Sequence, residues 1–210
     1  GNAIVDLLVN TEDSFLSNNS LKKGTMTLIS QEKAQELFSR NENNLKISGG
    51  SAANTIAGLS QLGSSAAFIG RVKDDQLGEV FRKDIRSTGA KFDTAPINEG
   101  PSTACCFIYI TPDAERTMCT YLGSSVFLES KDIDFSTLIK AKVLYLEGYL
   151  WDLEQAKSAF ITAAERCKSH GVKIALSLSD SFCIDRHRES FKELIEEYVD
   201  IIFANEDEII

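Results

Sequence analysis

At 210 residues, 43% hydrophobic and 25% charged, the chain can bury one sizeable core with an appended subdomain, and two full domains would be cramped. Its 22 Lys plus Arg against 31 Asp plus Glu give a formal charge of -9, which opposes nucleic acid and anionic membrane surfaces. The five cysteines (Cys105, Cys106, Cys119, Cys167, Cys183) form no C-x-x-C pair and sit mostly in apolar runs, so reduced, buried thiols in a cytoplasmic protein are expected. No stretch approaches the roughly 18 uninterrupted apolar residues of a membrane span, and Gly1-Asn2-Ala3 opens into a strand-like run without a basic leader.

Ala3 to Val9 has the pattern of a buried strand with a carboxylate, Asp6, near its end. Leu21 to Leu28 alternates as a half-exposed strand does, and Ser30 caps a short helix to about Arg40. From Ser51, the positions Ala52, Ala53, Ile56, Ala57, Leu59 and Leu62 follow helical spacing, with Gly63 suited to the left-handed stop. Ala66 to Gly70 reads as a strand, and Leu77, Val80, Phe81 and Ile85 mark a helix face closed by Gly89. Ser102 to Ile110 and Arg116 to Leu122, joined by Thr-Pro-Asp-Ala-Glu, read as a hairpin.

After Lys142 the pattern becomes strand–helix alternation: a strand at Val143 to Leu146, a helix from Asp152 to about Ser169, a strand at Lys173 to Leu178, a helix through Phe191 to Tyr198, and a strand at Ile201 to Ala204. Short buried strands between amphipathic helices imply a parallel sheet covered on both faces. The β-rich pieces at about 11–47 and 95–122 fit that sheet poorly and are expected to form a small separate β-layer.

The most informative segment is Ile47-Ser-Gly-Gly-Ser-Ala-Ala-Asn54, a glycine pair opening directly onto a helix. Gly49 and Gly50 let a ligand approach the backbone, and the first-turn N–H groups are expected to point out unpaired, which suits a polyhydroxylated or anionic group. Asn54 adds a donor and an acceptor one turn into the helix. The spacing is neither G-x-G-x-x-G nor G-x-x-x-x-G-K-[ST], so Rossmann and P-loop readings fail, which disfavours a nucleotide-dependent oxidoreductase, the weakest of the readings.

Extended through Ala57, Leu59, Leu62-Gly63 and Phe68-Ile-Gly70-Arg-Val-Lys-Asp74-Asp-Gln-Leu-Gly78, this segment resembles the first signature of PfkB-family, ribokinase-like carbohydrate and nucleoside kinases. Gly1-Asn2-Ala-Ile-Val-Asp6 is similar to the opening of adenosine kinases, and Asn205-Glu-Asp-Glu208 resembles the family's N-x-x-E motif. The resemblance implies an α/β fold, a three-layer sandwich with a mostly parallel central sheet and a small β-sheet lid at about 11–47 and 95–122. The family's D-T-x-G-A-G-D signature has no counterpart before Ile210, so residues 1–210 are expected to be an N-terminal portion with the C-terminal part absent. On that expectation the ATP-binding and catalytic-base segment lies beyond Ile210, the chain holds no catalytic residue of its own, and it is inactive alone.

The implied reaction is ATP- and Mg2+-dependent phosphorylation of a hydroxyl on a sugar or nucleoside, adenosine or a small sugar. Asp6 would accept hydrogen bonds from vicinal hydroxyls, while Asn2, Gly49, Gly50 and Asn54 would line the pocket and Arg116 would reach in from the lid. Glu147, at the carboxyl edge of a strand, would face the phosphoryl-transfer region of the substrate pocket, with an interface or salt-bridge role as the alternative, and Asn205 and Glu208 would orient magnesium. The implied partners are a small molecule and, as an open option, a second copy through the lid; neither nucleic acid nor membrane is expected. A non-catalytic binding module is the alternative. His170 and His187 carry no catalytic pattern, and Trp151 and Phe182 read as core or interface residues.

Overall fold

The computed structural model describes residues 1–41 and 44–209; Glu42 and Asn43, inside the expected lid segment, and Ile210 lie outside the described residues. In chain order the elements are β1 (Ile4–Asn10), α1 (Asp13–Asn18), β2 (Met26–Leu28), α2 (Gln31–Arg40), β3 (Leu45–Gly49), α3 (Ser51–Gln61), α4 (Gln76–Ser87), β4 (Ala104–Ile110) and β5 (Arg116–Tyr121). There follow α5 (Phe135–Leu138), β6 (Val143–Glu147), α6 (Glu154–Ser169), β7 (Lys173–Ser177), α7 (Ser181–Tyr198), β8 (Ile201–Phe203) and α8 (Glu206–Ile209).

Local chemistry sets the helix limits. The Ser30 side chain accepts from the Lys33 N–H at the start of α2, and Asp75 and Asp180 do the same for Gly78 in α4 and Cys183 in α7. Gly63 and Gly89, just past α3 and α4, take the left-handed conformation (φ 86° and 92°) expected of stop glycines.

Two sheets result. A mixed five-stranded sheet has the order β2-β5-β4-β1-β3, and a parallel three-stranded sheet has the order β6-β7-β8. The strand carrying Asp6 belongs to the first of these, not to the parallel sheet: β1 runs antiparallel to β3 and parallel to β4. The expected hairpin is present as β4 and β5. It starts at Ala104 because the Ser102 carbonyl and Thr103 N–H are occupied elsewhere, by Ser124 and Asp75. The expected strand at Ala66 to Gly70 is a single parallel bridge, Ala67 to Lys91. The one expected at Leu21 to Leu28 shrinks to Met26–Leu28 behind a left-handed Gly24 (φ 74°).

Each sheet has its own core. Val5, Leu7, Cys105, Phe107, Tyr109 and Cys119 project from one face of the mixed sheet onto Phe81 and Ile85 of α4 and Leu37 of α2. Leu144, Leu146, Ile174 and Leu176 project from the parallel sheet onto α6 and α7, where Trp151 stacks on Phe191. Trp151 is thus a core residue, while Phe182, expected in a core or interface, is 72% exposed. The five cysteines are buried free thiols, and among the described residues no helix is long and apolar enough to cross a membrane. The structure runs without interruption from β6 through β8 into α8, ending at residue 209, and the expectation of an absent C-terminal part is not carried further.

Candidate functional site

Cross-strand register places Ile47, Asp6, Cys106 and Thr120 in one row across the mixed sheet, on the face opposite its core. Ile4, Leu8, Ile108 and Met118 surround that row on the same face, and Arg116 opens β5 on it. Asp6 is therefore a carboxylate set among apolar neighbours. Burial pushes its pKa up to about 6, against the pull of the Arg116 guanidinium. Cys106 beside it accepts from the Thr120 hydroxyl at 3.2 Å, and burial raises its thiol to about 12, so it is no nucleophile.

The glycine pair is packed hard against this face. A Cβ on Gly49 would meet Asp6 Oδ2 at 2.2 Å, and one on Gly50 would meet the Asn2 carbonyl oxygen at 2.4 Å, in a backbone conformation (φ 98°) that side chains rarely adopt. Close approach inside the protein thus requires both glycines, before any ligand is considered. From the other side, Asp84 of α4 accepts the Ser48 N–H and hydroxyl, both at 2.7 Å.

The amino end of α3 is not as open as the sequence led us to expect. Glu147, 1% exposed, accepts the Ala52 N–H with Oε2 at 3.0 Å and the Asn2 N–H with Oε1 at 2.7 Å. Asn2 is itself buried, and its side-chain oxygen accepts from the Ser125 hydroxyl at 2.8 Å. Asn54 lies exposed on the first turn of α3, its N–H bonded to the Gly50 carbonyl. The structure thus brings Asp6, Asn2, Gly49, Gly50 and Glu147 together, with Asn54 at the edge and Arg116 acting on Asp6 through its charge.

Asn205 and Glu208 stand apart, beyond the carboxyl end of β8. Glu208 accepts the Asn205 N–H and side-chain amide at 3.3 and 2.9 Å, and its own N–H returns to Asn205 Oδ1 at 3.0 Å. Sequence reasoning missed Asp84, Ser125 and Thr120, whose part depends on pairings between segments far apart in the chain.

A family model described as pfkB family carbohydrate kinase matches residues 22–209. The crystal structure of adenosine kinase from Sinorhizobium meliloti is 48% identical, with a TM-score of 0.87 over 99% of this chain and 64% of that one. A probable sugar kinase from Rhizobium etli CFN 42 is 46% identical, with a TM-score of 0.88 over 99% of this chain and 63% of that one. The probable chloroplastic fructokinase-6 of Arabidopsis thaliana is 33% identical over 79% of this chain and 44% of that protein. The chain therefore spans somewhat under two thirds of the two solved kinases and under half of the fructokinase.

These matches correct one set of expectations. The family domain runs through nearly all 210 residues instead of forming an N-terminal portion alone. Because the family match reaches residue 209, the expectations of a missing ATP-binding and catalytic-base segment and of a chain inactive alone are not carried further.

Proposed function

The chain belongs to the pfkB family of carbohydrate kinases, and we propose that it binds a nucleoside or small sugar on the Asp6 face and orients one hydroxyl for phosphorylation by ATP. The observation that carries this reading is the Asp6 carboxylate, set in an apolar sheet face and packed against Gly49. An ionised carboxylate accepts from two vicinal hydroxyls at once, and the glycine pair lets the ring carrying them lie against the backbone. The apolar neighbours Leu8, Ile47, Ile108 and Met118 suit the flat face of a nucleobase better than a second polyol, which favours a nucleoside of the adenosine type over fructose. The likeness to the sinorhizobial adenosine kinase supports the same preference.

Asp6, with Arg116 tuning its charge, holds the acceptor, and the sheet face keeps water from it. Bound ATP supplies the phosphoryl group, and magnesium neutralises the charge that develops on it. Asn205 and Glu208 fit the outer shell of a hydrated magnesium ion: each Glu208 oxygen takes an N–H from Asn205 and keeps a lone pair for a metal-bound water. No group of three or more His, Cys, Asp or Glu side chains able to strip the ion of its waters occurs among the described residues.

The buried free thiols support a reducing, cytoplasmic setting. Exposed Met26, Leu28 and Leu45 on the outer strands of the mixed sheet support pairing of two copies through it. Titration calorimetry with adenosine, ribose and fructose, followed by a phosphoryl-transfer assay with ATP and Mg2+, tests the reading. Adenosine is expected to bind most tightly and to be phosphorylated. Binding without transfer would favour a non-catalytic binding module, and no binding of any of the three would end the proposal.

A further inference from the structure

We propose that Glu147 is the positioning residue that assembles the pocket, and that its charge turns the amino end of α3 away from anionic ligands and toward uncharged hydroxyls. The proposal rests on the functional reading above and deepens it, because it names the charge class of the acceptor.

Glu147 ends β6, an edge strand, yet its side chain bonds to no strand of its own sheet. One oxygen takes the N–H of Asn2, just before β1, and the other takes that of Ala52, in the first turn of α3. These are the two segments whose approach creates the pocket floor, where the Asn2 carbonyl lies against Gly50 and Asp6 against Gly49. A buried carboxylate held by two backbone N–H groups is a strong, directional tie, and cutting it leaves both donors buried without partners.

The electrostatic half follows from position. The amino end of a helix attracts anions because its first N–H groups are unpaired and its dipole is positive there. Here an internal carboxylate already occupies that end. With Asp6 on the adjoining strand, a phosphate replacing one of the substrate's vicinal hydroxyls would meet two carboxylates.

The test compares wild type with Glu147→Gln, which keeps the shape but turns one acceptor into a donor. Without ligand, amide exchange at Asn2 and Ala52 is expected to quicken at least tenfold while Ile174, deep in the other core, keeps its protection. By calorimetry, adenosine affinity is expected to fall at least tenfold, and the preference for adenosine over adenosine 3′-monophosphate to narrow at least fivefold. Unchanged exchange at both amides overturns the positioning role, and an unchanged preference overturns the electrostatic one. If Ile174 also loses protection in Glu147→Gln, Glu147→Asp decides: it keeps the charge on a shorter arm, so it should lose affinity yet retain the preference, and a lost preference overturns the proposal. Failure of wild type to bind any nucleoside or sugar would instead strike the functional reading, while the exchange data would still judge the tie.

Discussion

On the proposed role, Asp6 sets stability against binding. Its pKa, raised by burial to about 6 from the ordinary 3.8, means that between those values the folded state keeps a proton that the unfolded state has released. Stability from this group is therefore greatest below the lower value and declines as pH rises through the upper one. Asp6→Asn, neutral throughout, is expected to stabilise the free protein at pH 7.5 by about 1–2 kcal/mol, discounted for partial exposure, and to match wild type near pH 4. The same change should weaken nucleoside binding by about 1.5–3 kcal/mol, the range for a hydrogen bond to a charged group. Wild-type affinity should itself decline as pH drops below about 6. Denaturant melts at the two pH values, with calorimetry, measure all three; a free protein destabilised by Asp6→Asn at pH 7.5 would show that the carboxylate's contacts outweigh its desolvation.

Among the elements, the second half of the glycine signature has a structural task that its sequence did not announce. Asp75 accepts the Gly78 N–H at 2.8 Å, the Thr103 N–H at 2.9 Å and the Thr103 hydroxyl at 2.7 Å, so one side chain caps α4 and pins the lead-in to β4. Gly78 is needed because a Cβ there would meet the Lys73 carbonyl at 2.0 Å. Asp75→Ala is expected to cost about 2–4 kcal/mol in urea unfolding, the sum of a lost cap and two partly buried bonds, and to change nucleoside affinity less than threefold. A cost below about 0.5 kcal/mol would mean that water replaces those bonds freely. Helices α2, α3 and α4 were legible from residues because their signals are local, Ser30 at a start, Gly63 and Gly89 at stops and apolar positions at helical spacing, whereas the short α1 and α5 were not. Sheet membership was not. Asp6 pairs across to Cys106 and Ile47, and no local pattern says that β1 joins the hairpin rather than the parallel strands. The site was legible in part: the glycine pair, Asp6 and Glu147 stand out in sequence, whereas Asp84 and Ser125, which hold Ser48 and Asn2, are defined only by the fold.

For the whole molecule, two cores meet at a polar seam, and a ligand seated on one side of that seam should reinforce both. A ligand at about a thousand times its dissociation constant stabilises the native state by about 4 kcal/mol. For a chain of 210 residues that corresponds to a melting-point rise of roughly 8–16 °C. A thermal melt with saturating adenosine checks this: one sharp transition moved by that amount is expected, and a shift of only the first of two transitions would show that the cores unfold independently. The Glu147 tie also orders events during synthesis. It joins residues 145 and 95 positions apart in the chain, so neither half of the pocket floor can be fastened until β6 has been made. Contacts of such long sequence separation form late in folding. On the proposed binding role, the nascent first half, with its glycine pair and Asp6 in hand, would have no finished cavity to offer a ligand until the polypeptide has emerged past Glu147.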